Sequence, residues 1–447
     1  MKISNKIKLI IFLLIIITIG YFFLNNAIKR NDSKFSNLKS LLSIDQKQFI
    51  IKYFFPHKLL TDGHIKELQF KESGNDIKTK KSVIKLSNSK ILKKYRLKEG
   101  FYYGINNKDP GSGYIDFYEK NLFLLSSRGV LAFKKNLNDN KKFKQIKNNI
   151  NEYIDSKQFK KHRWYSLKDL YIFKDKIFIS YTEEIKENCW NTSIIFADIN
   201  YENLMFKKLF SSKKCVHEID NIDGEFSGHQ SGGRIMGIDD NHILLTIGDY
   251  RSRYLAQDKK SVNGKIVKIN IMSSNYKIIS MGHRNPQGLL FDRENNFILS
   301  SEHGPEGGDE VNLIEVEKIN QDIIQNFGWP ISSYGEHAGG KTKESNIKRY
   351  EKYPFYKSHS KYGFIEPLTS FSPSIGISEI VKIGKNNYVV SSMKDRSLYF
   401  FELNEQRKIV NLDRVEVTER VRDLKFNKGK LYLFLEDTAS IGVINFN

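Results

Sequence analysis

The segment LLFDRENNFILSSEH, Leu289–His303, holds two short apolar runs joined by the polar turn Glu294-Asn295-Asn296. Apolar runs of this length flanking a turn read as a β-hairpin. The same pattern recurs at Ile115–Arg128, Leu170–Thr182, Ile235–Asp249, Ile380–Lys394 and Leu424–Asp437. Their turns are Glu119-Lys120-Asn121, Lys174-Asp175-Lys176, Asp239-Asp240-Asn241, Lys385-Asn386-Asn387 and Asn427-Lys428-Gly429. The hairpins start roughly 44 to 91 residues apart, room for about four strands per unit plus insertions. Six such units predict an all-β chain folded as a six-bladed β-propeller. The long interval between the fourth and fifth copies, around Ile331–Phe371, is rich in Gly, Tyr and Lys. It reads as a large loop over one face.

A chain of 447 residues with 23 Tyr and 31 Phe can bury a large core and is not a disordered polymer. The net charge of +21 comes from scattered lysines such as Lys141-Lys142 and Lys259-Lys260, without an ordered arginine stripe. No recognition motif accompanies it, so no nucleic-acid partner is expected. The excess charge suits an anionic ligand or an anionic membrane surface. At the N-terminus, Lys2, Lys6 and Lys8 precede the run Leu9–Leu24, apolar apart from Thr18 and Gly20. That combination reads as a signal peptide or, since no small-residue cleavage site follows, an uncleaved signal anchor. The expected organisation is therefore a signal or anchor over 1–26, a polar tether and small accessory region over 27–94, and the propeller over 95–447. Only Cys189 and Cys215 are present. A hairpin turning near residue 202 would bring them together, which permits a disulfide in an oxidising compartment; two free thiols are the alternative. No C-x-x-C-H is found, so no covalent haem is indicated.

The hairpins also predict a site. The start of a hairpin's first strand and the end of its second lie at the same end. His229, Arg284, Arg420 and Arg422 come at first-strand starts, and Asp249, His303 and Lys394 at second-strand ends. All seven should gather on one propeller face near the axis. Four cations so close would repel one another unless an anion sits among them.

Three segments then carry a family likeness. They are His229–Asp249, Gly282–Gly288 with Ser301–Glu310, and Asn326-Phe327-Gly328-Trp329-Pro330. Together they resemble the glucose/sorbosone dehydrogenase family over about residues 164–437, most densely over 228–330. The resemblance implies a six-bladed propeller that holds pyrroloquinoline quinone (PQQ) and calcium and oxidises an aldose at its anomeric hydroxyl to the lactone. It implies that His229 is the general base and that Arg284 and Asn285 contact the quinone region, where a guanidinium can stabilise a developing oxyanion. It makes His303, Lys394, Arg420 and Arg422 cofactor-binding residues; cations suit a ligand with three carboxylates. The backbone carbonyls of Gly304 and Pro305 become calcium ligands, with Asp309 supporting their loop. The expected partners are a sugar, a separate electron acceptor (a quinone or cytochrome) and the membrane through the N-terminal segment. The expected place is the periplasmic side of the inner membrane.

Departures from the pattern fall on the sugar pocket. Gly228 stands where soluble glucose dehydrogenases carry an acidic residue. Tyr250-Arg251 follows Asp249 in place of a small pair, and Arg163-Trp164-Tyr165-Ser166-Leu167 replaces a Gly-Leu-Leu type of segment. His303 stands where some members have Gln. Two other functions stay open at this point. One is a propeller that binds a ligand or partner without catalysis. The other is a calcium-dependent lactonase, which would need carboxylate or Asn ligands converging on the axis.

Overall fold

The computed structural model describes residues 77–97, 112–139, 141–161 and 164–446, with an isolated Gly20. The chain divides into two compact units, 1–60 and 61–447. The fold below belongs to the second. The signal or anchor expected over 1–26 lies outside the described residues.

Six sheets form the blades, antiparallel except for a short parallel fifth strand, Gln325–Asn326, on the third. Their innermost strands are Gly113–Tyr118, Leu167–Phe173, Gly232–Asp239, Pro286–Asp292, Ile377–Lys382 and Val421–Asn427. Each touches the next, and the sixth returns to the first, so the ring is closed. Every predicted hairpin is the inner pair of one blade. These strands carry continuous apolar runs because both faces of a blade are covered. Leu122, Phe123, Leu124 and Leu125 are all buried, for example. The core lies between blades: Ile243, Leu245 and Val267 of the third pack on Phe178 and Ile194 of the second. Leu244 and Ile266, pointing the other way, pack on Leu289, Ile298 and Ile314 of the fourth.

Two boundaries differ from expectation. The stretch 27–94 was expected to be tether and accessory region, yet Thr79–Lys85 and Ile91–Leu97 add two outer strands to the sixth blade. Leu92–Arg96 pairs with Ser440–Ile444, so the N-terminal side of the propeller closes the ring against its C-terminal strands. Outer strands face solvent, and their lysines hide the strand signal: Lys80, Lys81 and Ser82 are exposed. Second, the interval 331–371 is not all loop, because Thr369–Phe371 forms the fourth strand of the fourth blade against Asp309–Val311. Cys189 and Cys215 form a disulfide with Cα atoms 5.4 Å apart. Val216–His217 pairs antiparallel with Cys189–Trp190 and sets that distance.

At the axis the inner strands are joined by one buried guanidinium. Arg234 of the third blade reaches Asp169 of the second at 2.9 Å, Glu379 of the fifth at 2.9 Å and Asp423 of the sixth at 2.7 Å. It also donates to the carbonyls of Gln287 and Arg422. The three carboxylates form a cluster of metal-binding type, but Arg234 already fills it.

Candidate active site

The segments of interest lie at one end of the inner hairpins, as their positions require. His229 precedes the inner strand of the third blade, Arg284 and Asn285 that of the fourth, and Arg420 that of the sixth, with Arg422 one residue inside it. Asp249, His303 and Lys394 follow the second strands of the third, fourth and fifth blades.

His229 stands on a short loop before Gly232–Asp239. Its Nδ1 meets Ser227 Oγ at 2.5 Å. A tautomer with Nδ1–H donating to Ser227 leaves the Nε2 lone pair available. The ring is open to solvent, yet the enclosing walls, then Arg284 and Arg251, hold its pKa well below the ordinary value. These influences favour the neutral imidazole, a form able to accept a proton. Trp164 flanks it with ring centroids 5.1 Å apart.

The departures around His229 are physically linked. A Cβ at position 228 would meet the Tyr165 ring at 2.7 Å. Tyr165 is held there by stacking on Trp190, 3.4 Å between centroids, and both donate to Glu218. With Tyr165 in this place, only glycine fits before His229.

Arg284 is half-buried and is the centre of a second group. Its Nη1 donates to the carbonyls of His303 (2.9 Å) and Gly304 (2.7 Å). Burial lowers its pKa to about 10, so it remains a cation at neutral pH. Gln230 bridges it to Asp249: with the amide turned to suit its neighbours, Nε2 donates to Asp249 Oδ1 at 3.0 Å and Oε1 accepts from Arg284 Nη2 at 2.8 Å. Trp329 donates to Asp249 Oδ2 at 2.8 Å, and the Arg284 guanidinium lies over the same indole. Asn285 Oδ1 accepts from Gly232 N and Gln287 Nε2, tying the third and fourth strand starts together.

The loop 303–309 turns back on itself. A Cβ on Gly304 would lie 2.0 Å from Gly308 O, so the close approach needs glycine. Asp309 fixes it: Oδ1 accepts from Gly304 N, and Oδ2 from Gly376 N and Ile377 N. The carbonyls of Gly304 and Pro305 each accept one hydrogen bond, from Arg284 and from Ser374 Oγ at 3.0 Å. Each keeps a second lone pair. Two neutral carbonyls fit calcium in donor type and supply two of the six to eight oxygens it takes, leaving the rest to a ligand and water. Burial, with Arg284, Arg422 and Arg420, outweighs Asp309 and lowers His303 to about 4. His303 thus senses cations from the fourth and sixth blades at once.

The cations of the fifth and sixth blades complete the rim. Lys394 is exposed beside Gly376 and has no side-chain partner among the described residues. Arg420 and the buried Arg422 both reach Glu436, which sits across the hairpin from them. Burial alone would raise the Glu436 carboxyl, but Arg422 and Arg420 hold it down to about 2. An anion among the cations is thus present within the chain.

A family model described as Glucose / Sorbosone dehydrogenase matches residues 166–443. The chain belongs to this family. It is 24% identical over 287 residues to a protein of Escherichia coli named aldose sugar dehydrogenase, an alignment covering 59% of this chain and 71% of that protein. It is 27% identical over 228 residues to a Synechocystis protein, covering 44% of this chain but only about half, 51%, of that relative. Among solved structures, the PQQ-bound aldose sugar dehydrogenase of Streptomyces coelicolor superposes with a TM-score of 0.51 at 17% identity, over 75% of this chain and 99% of that one. At that identity the likeness concerns the fold.

All seven residues expected at one rim are found at that end of the hairpins. Four site neighbours were not foreseen: Glu436, Gln230, Lys168 and the indole contact of Trp329. Lys168 is buried and donates to Trp164 O at 2.8 Å; burial, then Arg422 and Arg128, lower its pKa strongly. Glu436 alone left a signal, standing at a second-strand end as Asp249 and His303 do. Arg163, quoted with the altered segment, lies outside the described residues.

Proposed function

We propose that this protein is a PQQ- and calcium-dependent aldose dehydrogenase. The observation that carries the reading is a neutral His229 beside Arg284, on the same rim as Lys394, Arg420 and Arg422. PQQ, when bound, supplies the quinone that takes up the hydride equivalent from the sugar. Lys394, Arg420 and Arg422 bind its carboxylates. The carbonyls of Gly304 and Pro305 hold calcium. His229 Nε2 removes the proton of the anomeric hydroxyl, and Ser227 keeps the imidazole in the required tautomer. Arg284 and Asn285 would hold the quinone end of the cofactor, where the guanidinium would steady developing negative charge. Its orientation is secured by Gln230 and by the His303 and Gly304 carbonyls. Electrons leave to a separate acceptor, a quinone or cytochrome. The N-terminal segment holds the propeller at the periplasmic side of the inner membrane. The relatives' names and the PQQ-bound neighbour support this reading.

The test is to add PQQ and calcium to the full chain and record the absorption spectrum before and after a panel of aldoses with an artificial acceptor. Bound PQQ that an aldose reduces is expected; no PQQ binding would refute the reading. His229→Ala should retain PQQ but lose roughly 10²- to 10⁴-fold in turnover, the range for removing a general base. Unchanged turnover would remove His229 from that role.

A further inference from the structure

We propose that Glu436 is an internal carboxylate that competes with the ligand for Arg420 and Arg422, and so weakens binding of an anionic cofactor at this rim. The proposal rests on the PQQ reading above. Guanidinium recognises carboxylate best through a pair of adjacent N–H groups. In Arg422, Nε and Nη2 both point at Glu436 Oε1, at 3.1 and 2.9 Å. In Arg420, Nε donates to Oε2 at 2.7 Å. One carboxylate thus engages the Nε side of both arginines. Among the described residues, Arg422 Nη1 reaches only Gln287 Oε1, at 3.4 Å. A ligand carboxylate must approach Arg422 from that end or displace Glu436.

Displacement is opposed by burial and by a main chain held in place. Glu436 N donates to Arg420 O at 2.9 Å, and the residue is 3% exposed. Moving the buried carboxylate would break its charge-assisted bonds to both arginines. Charge points the same way. Two arginines and one glutamate leave a single net positive charge, which Lys394 raises to two. PQQ brings three carboxylates. Removing the negative charge of Glu436 therefore strengthens the attraction, on the order of tenfold in affinity for one charge at a partly screened separation.

The experiment measures PQQ affinity by equilibrium titration of the full-length protein and its Glu436→Gln variant at several salt concentrations. Glutamine keeps the shape and one acceptor while losing the charge. The expected result is about tenfold tighter PQQ binding by the variant, with a steeper loss of affinity on adding salt. If Glu436 instead only orients the arginines, the variant binds more weakly; weaker or unchanged binding overturns the proposal. Glu436→Ser replaces the glutamine variant if that one does not fold. Should neither wild type nor variant bind PQQ, the cofactor reading fails. The competition is then decided with citrate, a tricarboxylate probe. A larger citrate-induced rise in melting temperature for the variant supports it, and equal rises overturn it.

Discussion

Two arginine clusters lie near the propeller axis and differ in their balance of charge. At the middle of the inner strands, one guanidinium, Arg234, meets three carboxylates, Asp169, Glu379 and Asp423. At the rim, two guanidiniums, Arg420 and Arg422, share one carboxylate, Glu436. The first cluster is fully buried and closed on itself, and burial pushes Asp169 up to about 6 and Glu379 up to about 8 against the pull of Arg234. It meets its own needs with protons and joins four blades. The second holds more positive charge than it neutralises and borders the solvent-facing site. Acid excess thus makes a structural knot here, and base excess leaves a demand that a ligand can meet.

The largest expected effect is on the knot. Arg234→Ala leaves three buried carboxylates without their hydrogen-bonded cation, with only the more distant pull of Lys425, and should cost about 3–5 kcal/mol in stability, read from urea unfolding. Wild-type stability in this variant would erase the distinction between the clusters. Arg420→Ala should do the reverse. On the proposed reading it removes a charge-assisted contact to the ligand, worth about 1.5–3 kcal/mol or roughly ten- to 150-fold in PQQ affinity, with a smaller loss of stability than Arg234→Ala because Arg422 still pairs with Glu436. A large loss of stability with unaltered PQQ affinity would show that the rim pair is structural as well.

The smallest effect is in pH dependence, and its sign separates the clusters. Glu436 falls from its ordinary 4.5 to about 2 in the folded protein. Its contribution to stability is present above 4.5 and is lost as pH drops towards 2. Glu379 rises from 4.5 to about 8. The folded state keeps a proton that the unfolded chain releases, so this contribution is present below 4.5 and is lost as pH climbs to 8. Compared with wild type, Glu436→Gln should flatten the acid limb of the stability curve, and Glu379→Gln should flatten the slope between 4.5 and 8. Unfolding midpoints from about pH 2 to about pH 8 check both; identical profiles would contradict the assignments.

Much of the architecture was legible because the inner hairpins are local. Their apolar runs and turns lie within fifteen residues or so of chain, and placing strand starts and ends at one rim follows from hairpin geometry alone. His229, Arg284, His303, Lys394, Arg420 and Arg422 were found this way, before any contact was known. The outer strands Thr79–Lys85 and Ile91–Leu97 were missed because solvent-facing strands carry lysine as readily as a tether does. Gly228 and Tyr165 could be read only as separate departures, since nothing in a linear chain shows that one ring fills the space of the other's missing side chain.

By itself the sequence determined the hairpin count, the closed all-β ring it implies and the set of residues that the rim would collect. Backbone patterning and chain direction are enough for that. Only the tertiary structure decided which acid faces which base. Arg234 and Asp423 are 189 residues apart, and Glu436 is one of 51 acidic residues. Ring closure places Asp423 on Arg234, while the turn of the sixth hairpin lays Glu436 against Arg420 and Arg422. The charge left over at the rim, and hence what it can bind, is a property of that closure.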